Sequence, residues 1–147
     1  MKVVVLLGLI LCALGCSRAP STIVVSESIS WQILGEQDSK VTGRGSSTLT
    51  FSNATSQTMS VALAGGPLSY LQDSRGWSSS AKIEVFAPIP EEVSRLFPCE
   101  FQAGQAISAT FPSGGRAARG RQQKVKVALQ IAGVAVEIEG PVEFEFK

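Results

Sequence analysis

No histidine occurs among the 147 residues of this chain. That absence removes the Ser-His-Asp triad, the Cys-His pair and every imidazole metal site. It also removes the side chain whose charge changes most readily near neutral pH. Charge of one sign is missing as well. Lys2 is the only charged residue of the first fifteen, and the remainder carries 12 basic and 12 acidic residues. No global field draws such a chain to nucleic acid or to an anionic surface. Nor does any apolar run approach the about 20 residues that span a bilayer. What is present is globular in type, 44% apolar and 17% charged, and of a length that suits one domain.

The longest apolar run is Val3 to Leu14, twelve residues behind the single charge of Lys2. This length fits the central region of a cleaved secretory leader. Ala13 and Gly15 place small side chains third and first before a cut, so cleavage is expected after Gly15, leaving Cys16 as the first residue. The stretch "ALGC", Ala13 to Cys16, resembles the lipobox of bacterial lipoproteins. It departs from that pattern with Ala13 where Leu is usual and Leu14 where a small residue is usual. The resemblance implies a thioether-linked diacylglycerol and an acylated amine on Cys16. Several acyl chains anchor stably where one does not. It also implies an exported protein held at the cell membrane or outer membrane. The other reading of Cys16 is an ordinary secreted N-terminus with a thiol that is free to pair. If Cys16 carries lipid, Cys99 has no partner and is expected to be a buried thiol acting as a small apolar residue.

After a short tether, "SRAPST", the period-two signal of half-buried strands takes over. Ile29, Trp31 and Ile33 alternate with polar residues, as do Leu49 and Phe51, then Met59, Val61 and Leu63, then Ala81, Ile83 and Val85, then Ile107 and Phe111. "VTGRGSS", "SNATSQ", "AGGP", "QDSRGW", "QAGQ" and "PSGG" read as the turns between them. At the end of the chain, Val125, Val127, Leu129 and Ile131 lie on odd numbers, and Val134, Val136 and Ile138 on even ones. A hairpin keeps both sets on one face only with an even-length loop. A two-residue loop at Ala132-Gly133 would set Lys126 opposite Glu139. Val142, Phe144 and Phe146 carry the same parity past Gly140-Pro141, where a kink is expected. Pro90 to Leu96 is the one helix candidate, with acids in its first turn and Arg95 late.

These patterns predict an all-β domain over residues 23–147, following a leader over 1–15 and a lipidated cysteine with tether over 16–22. The expected form is an antiparallel sandwich of about seven to nine strands with one short helix. The order "STLTFSNATSQTMSVAL", then "FQAGQAISATF", then the terminal hairpin is weakly similar to Ig-like modules of bacterial envelope proteins, of the ASPM–SPD-2–Hydin type. That similarity implies an Ig-like sandwich and no particular activity.

Candidate chemistry is sparse. "SGGRAARGRQQK" holds Arg116, Arg119, Arg121 and Lys124, which suit contact with phosphate headgroups, a polyanion or an acidic partner. The alternative is a solvated hairpin connection balanced by nearby glutamates. Without interleaved aromatics it does not suit single-stranded nucleic acid. Glu91 and Glu92 are adjacent and diverge on a helix, unlike the convergent carboxylates of a glycosidase. Ser46 or Ser47 with Lys40 lacks any supporting dyad motif. Asn53-Ala54-Thr55 matches the glycosylation pattern, and behind a bacterial-type leader it is expected to mark a turn. Trp31 is expected in the core and Trp77 in a turn. No catalytic residue, cofactor or metal is expected. The expected function is a non-catalytic envelope lipoprotein, bound to the membrane through Cys16 and acting as a binding or assembly module for an envelope protein or polyanion, not for nucleic acid. The alternative is a small exported hydrolase or a ligand or metal carrier with a barrel-like pocket.

Overall fold

Strand alternation sets the interior of the molecule. The structure is a computed structural model that describes residues 23–73, 82–120 and 122–147. Gly15, Cys16, the tether, Trp77 and Arg121 lie outside those residues. In β1 (Ile23–Gln37), Ile23, Val25, Ile29 and Trp31 turn inward while Val24 and Ser28 face out. β2 (Lys40–Asn53) opposes them with Val41, Leu49 and Phe51 buried. Asp38 and Ser39, at φ 53° and 61°, join the two strands in a two-residue hairpin turn that needs no glycine.

The chain continues through β3 (Met59–Leu63), β4 (Leu68–Asp73), β5 (Lys82–Ala87), α1 (Glu91–Ser94), β6 (Cys99–Phe101), β7 (Ala106–Ala118), β8 (Gln123–Ile131) and β9 (Val134–Phe146). The all-β class with one short helix is therefore observed. Pro90 precedes the first turn of α1, Arg95 pairs with Glu91 at 2.6 Å, and Val93 is fully buried.

Hydrogen bonding joins the nine strands into one curled sheet. Its path is β5-β4-β8-β9-β1-β2-β7, with β3 paired to β8 and β6 added beyond β3. Every pair is antiparallel except β1 with β9, which runs parallel from Glu27/Val142 to Trp31/Phe146. That one parallel pair is a departure from the expected antiparallel pattern. It arises because β9 is long enough to pair with β8 along one edge and still reach β1 along the other.

The terminal hairpin follows its parity. Ala132-Gly133 is the loop, Val127 faces Ile138, Leu129 faces Val136, and Lys126 stands opposite Glu139. The Lys126 ammonium, however, pairs with Glu84 of β5 at 2.8 Å. β9 also runs unbroken through Gly140-Pro141. Gly140 sits where the Val25 carbonyl passes, and a Cβ there would collide with it.

Two stretches that read as turns are strand. "VTGRGSS" belongs to β2 and "PSGG" to β7, paired with each other through Gly43/Gly115, Arg44/Gly114 and Gly45/Ser113. Here glycine makes room. A Cβ on Gly43 would lie 2.9 Å from the Trp31 Cβ, and one on Gly45 would strike the Ser30 carbonyl. β5 differs in another way. Its alternation is strand-like, yet Ile83 and Val85 are exposed because β5 is an edge that pairs only with β4.

The curl closes at one end. Asn53, the last residue of β2, donates through its side-chain nitrogen to the carbonyls of Phe101 and Gln102, both at 3.1 Å, at the end of β6. Its backbone N–H reaches the Gln105 carbonyl at 2.9 Å. Phe51, Phe97 and Phe101 fill the core beneath, with the Phe51 and Phe97 rings edge-to-face at 5.2 Å. At the other end β5 bonds only to β4 and β7 only to β2, so the seam between these edges stays open.

Candidate functional site

The open seam is a cleft of about 420 Å³. Its walls come from β1, β4, β7 and β9, with Pro88 and Pro90 at one end. Volume and lining place it within the range of small-molecule sites. β7 presents Phe111 and Ser113 to it, β4 Leu68 and Tyr70, β9 Phe144, and β1 Glu27, Ile29 and Trp31. Trp31 is held as a wall: its indole N–H donates to the Ser113 hydroxyl at 3.0 Å, and the Phe144 ring meets it edge-on at 5.5 Å.

Glu27 stands on the inward parity of β1, between Val25 and Ile29, and is 3% exposed. Its Oε1 accepts from the hydroxyls of Ser47 and Tyr70, the latter at 3.1 Å. Its Oε2 is buried and has no partner among the described residues. Burial pushes the Glu27 carboxyl above the usual glutamate range, and the two hydrogen bonds oppose that only in part. Burial, and then the Glu27 charge beside it, likewise push the Tyr70 phenol upward, so it stays a donor. A buried acid with one saturated and one vacant oxygen is an unusual arrangement, because an unpaired buried polar atom is costly. Sequence reading passed over this residue. The available signal was a charge on the apolar parity of a strand.

Arg116 borders the cleft on β7, but it is exposed on the outward parity of that strand, opposite Thr42, and makes no ion pair among the described residues. The other basic candidates do not join it. Arg119 is tied to Glu36 by two hydrogen bonds, at 2.6 and 3.1 Å, and lies 5.4 Å from the centre of the Phe146 ring. This pairing holds the Glu36 carboxyl below its ordinary range. Lys124 is exposed on β8, opposite Leu71 and Pro141.

The remaining candidates have structural roles. Cys99 is a free, half-buried thiol packed against the core, and burial followed by the charge of Glu100 pushes its pKa up, away from reactivity. Asn53 is buried and shapes a turn: its Oδ1 accepts from the Thr55 N–H and hydroxyl at 3.0 and 2.7 Å. Ser47 is committed to Glu27, while Lys40 sits at the far end of β2 beside Ala118. Among the described residues, no cluster of three His, Cys, Asp or Glu side chains is placed to hold a metal, and no helix is long and apolar enough to cross a membrane.

Comparison with protein-family models and with curated proteins finds no match. Among solved structures, the chain is similar to a GH20 exo β-N-acetylglucosaminidase from Vibrio harveyi bound to N-acetylglucosamine, at 14% identity and TM-score 0.28. An inactive variant of that enzyme gives 15% identity and TM-score 0.28. In both cases the match covers 85% of this chain but only 18% of the enzyme. Similarity at that level assigns neither fold nor activity to this chain.

Proposed function

We propose that this protein is a non-catalytic ligand-binding module of the cell envelope, exported by its leader and held at the membrane by lipid on Cys16. One observation carries the binding function: Glu27, buried with a vacant oxygen, lines the cleft. A buried carboxylate oxygen left without a partner among the described residues, in a side chain on the wall of a cleft, supports a partner from outside. Glu27 is also the only carboxylate lining the cleft among the described residues. A carboxylate pair for glycoside hydrolysis is not assembled there.

The binding function is tested by protein-observed NMR with a panel of small soluble fragments. Shifts confined to Glu27, Tyr70, Ser113 and Phe144 are expected. Shifts scattered over the surface, or no shifts at all, overturn it. The anchor is tested separately by mass spectrometry of the mature N-terminus from host membranes. A diacylglyceryl Cys16 is expected, and an unmodified Cys16 rejects the lipoprotein assignment without touching the cleft.

A further inference from the structure

We infer that the ligand of the cleft is an extended polypeptide segment, free of proline and apolar at alternate positions, which pairs with the outer edge of β5 and turns its apolar residues into the seam. This inference rests on the cleft being a binding site and names the chemistry of its occupant.

The strand form follows from the edge. β5 bonds to β4 along one side, and among the described residues nothing pairs with the other, so a row of backbone N–H and C=O groups is left open. Such edges are ordinarily blunted by proline, by charge or by a cover. β7, across the seam, is blunted: Pro112 removes a donor from it, and Gly114 and Gly115 weaken it just beyond. β5 contains no proline. After Lys82 at its first position its one charge is Glu84, which accepts from the Ser69 hydroxyl at 2.6 Å and pairs with Lys126 at 2.8 Å. An open main-chain edge of this kind is met by an extended peptide.

The apolar alternation follows from register. Residues directly opposite each other in a sheet share a face. Ala87 stands opposite Leu68, Val85 opposite Tyr70 and Ile83 opposite Gln72, and these three β4 residues line the cleft. Ile83 and Val85 therefore lie on the inward face, yet they are 49% and 43% exposed, whereas Leu68 on the next strand is 1% exposed. The inner face of the sheet runs out at β5 with its apolar surface uncovered. A strand laid along β5 continues that face. Every second side chain falls beside Ile83, Val85 or Ala87, over a cleft to which β7 presents Phe111. The intervening side chains face outward with Glu84 and Phe86, where polar residues are tolerated. The six residues of β5 set the length of the paired segment, about 20 Å. A cleft of about 420 Å³ takes the side chains of one strand, and a second copy of this chain would bring its whole sheet along with β5.

Isothermal titration of the full-length protein with three synthetic heptapeptides, capped at both ends, tests the inference. Lys-Val-Thr-Val-Thr-Val-Lys carries the alternation. Lys-Val-Val-Val-Thr-Thr-Lys has the same composition without it, and Lys-Val-Thr-Pro-Thr-Val-Lys has proline at its centre. The first is expected to bind about tenfold or more tightly than either of the others. On binding, amide exchange is expected to slow along β5 and not along β7. Val85→Lys puts a charge on the inward face of the edge and is expected to weaken the first peptide about tenfold or more. Val85→Thr keeps the shape and is expected to weaken it severalfold, and the urea midpoints of both variants verify folding. If the three peptides bind alike, or if protection falls on β7 instead of β5, the strand is wrong. If the wild type alone sediments as a dimer and Val85→Lys makes it a monomer, a second copy takes the edge and the inference is overturned. If the fragment panel shifts the cleft and no peptide binds, the inference falls and the cleft remains a binding site. If neither binds, both fall.

Discussion

Asn53, at the closed end of the sheet, and Glu27, on the wall of the cleft, are both buried polar side chains, and they are treated differently. At the closed end every polar atom of Asn53 is used. Its amide nitrogen serves the carbonyls of Gln57, Phe101 and Gln102, and its oxygen takes the Thr55 N–H and hydroxyl. On the cleft wall Glu27 has one oxygen with two donors and one that, among the described residues, has none. A fully satisfied polar residue fixes a fold, whereas one left half-satisfied marks where the fold stops serving itself. The flanking apolar groups differ in the same sense. Phe51, Phe97 and Phe101 pack against one another beneath Asn53, but Phe111, Tyr70 and Phe144 stand around an opening.

Substitutions at the closed end are expected to cost the most. Phe51→Ala removes a fully buried ring and should destabilise the domain by about 4 kcal/mol, read from the urea midpoint. Asn53→Ala orphans the buried Phe101 carbonyl, frees that of Gln102 and unlatches β6 from β2, with an expected loss of about 2 kcal/mol in the same measurement. An Asn53→Ala protein as stable as the wild type would mean that the two ends do not differ in the way described. Glu27→Gln is expected to behave otherwise. In the native state Glu27 keeps its proton to higher pH than in the unfolded chain, so the native state binds more protons as pH rises above the ordinary glutamate pKa. Wild-type stability is therefore expected to fall through that window. Glu27→Gln should lose this slope, gaining on the wild type at neutral pH and not at pH about 4. Urea titrations across pH for the two proteins measure the difference, and parallel profiles would contradict it. The smallest effect is expected for Arg119→Ala. Its ion pair with Glu36 is exposed, and the melting temperature should scarcely move.

Much of the closed end was legible from the sequence. The strand pattern around Leu49, Phe51 and Val61 depends only on alternation, and the terminal hairpin on parity, which placed Lys126 opposite Glu139. The open end was harder for three physical reasons. Glycine has two uses, and alternation alone does not distinguish a turn from the clearance that Gly43 and Gly45 give to Trp31 and Ser30. The turn at Asp38-Ser39 lacks glycine and so lacks the usual signal. Burial at β5 depends on which strand lies beyond it, and this is a property of topology rather than of the segment. Glu27 was visible as a residue, but its partners come from β2 and β4, twenty and forty-three positions away.

The latch at Asn53 bears on how the protein can be made. Asn53-Ala54-Thr55 is an acceptor pattern for oligosaccharide transfer in a eukaryotic secretory pathway. The nitrogen that would receive the sugar is the one that holds the Phe101 and Gln102 carbonyls, in a residue with 1% of its surface exposed. Glycan and latch exclude each other, and transfer takes place before folding is complete. In such a host the glycosylated fraction is the fraction that failed to close its sheet, so a sugar stain on the product becomes an assay of misfolding.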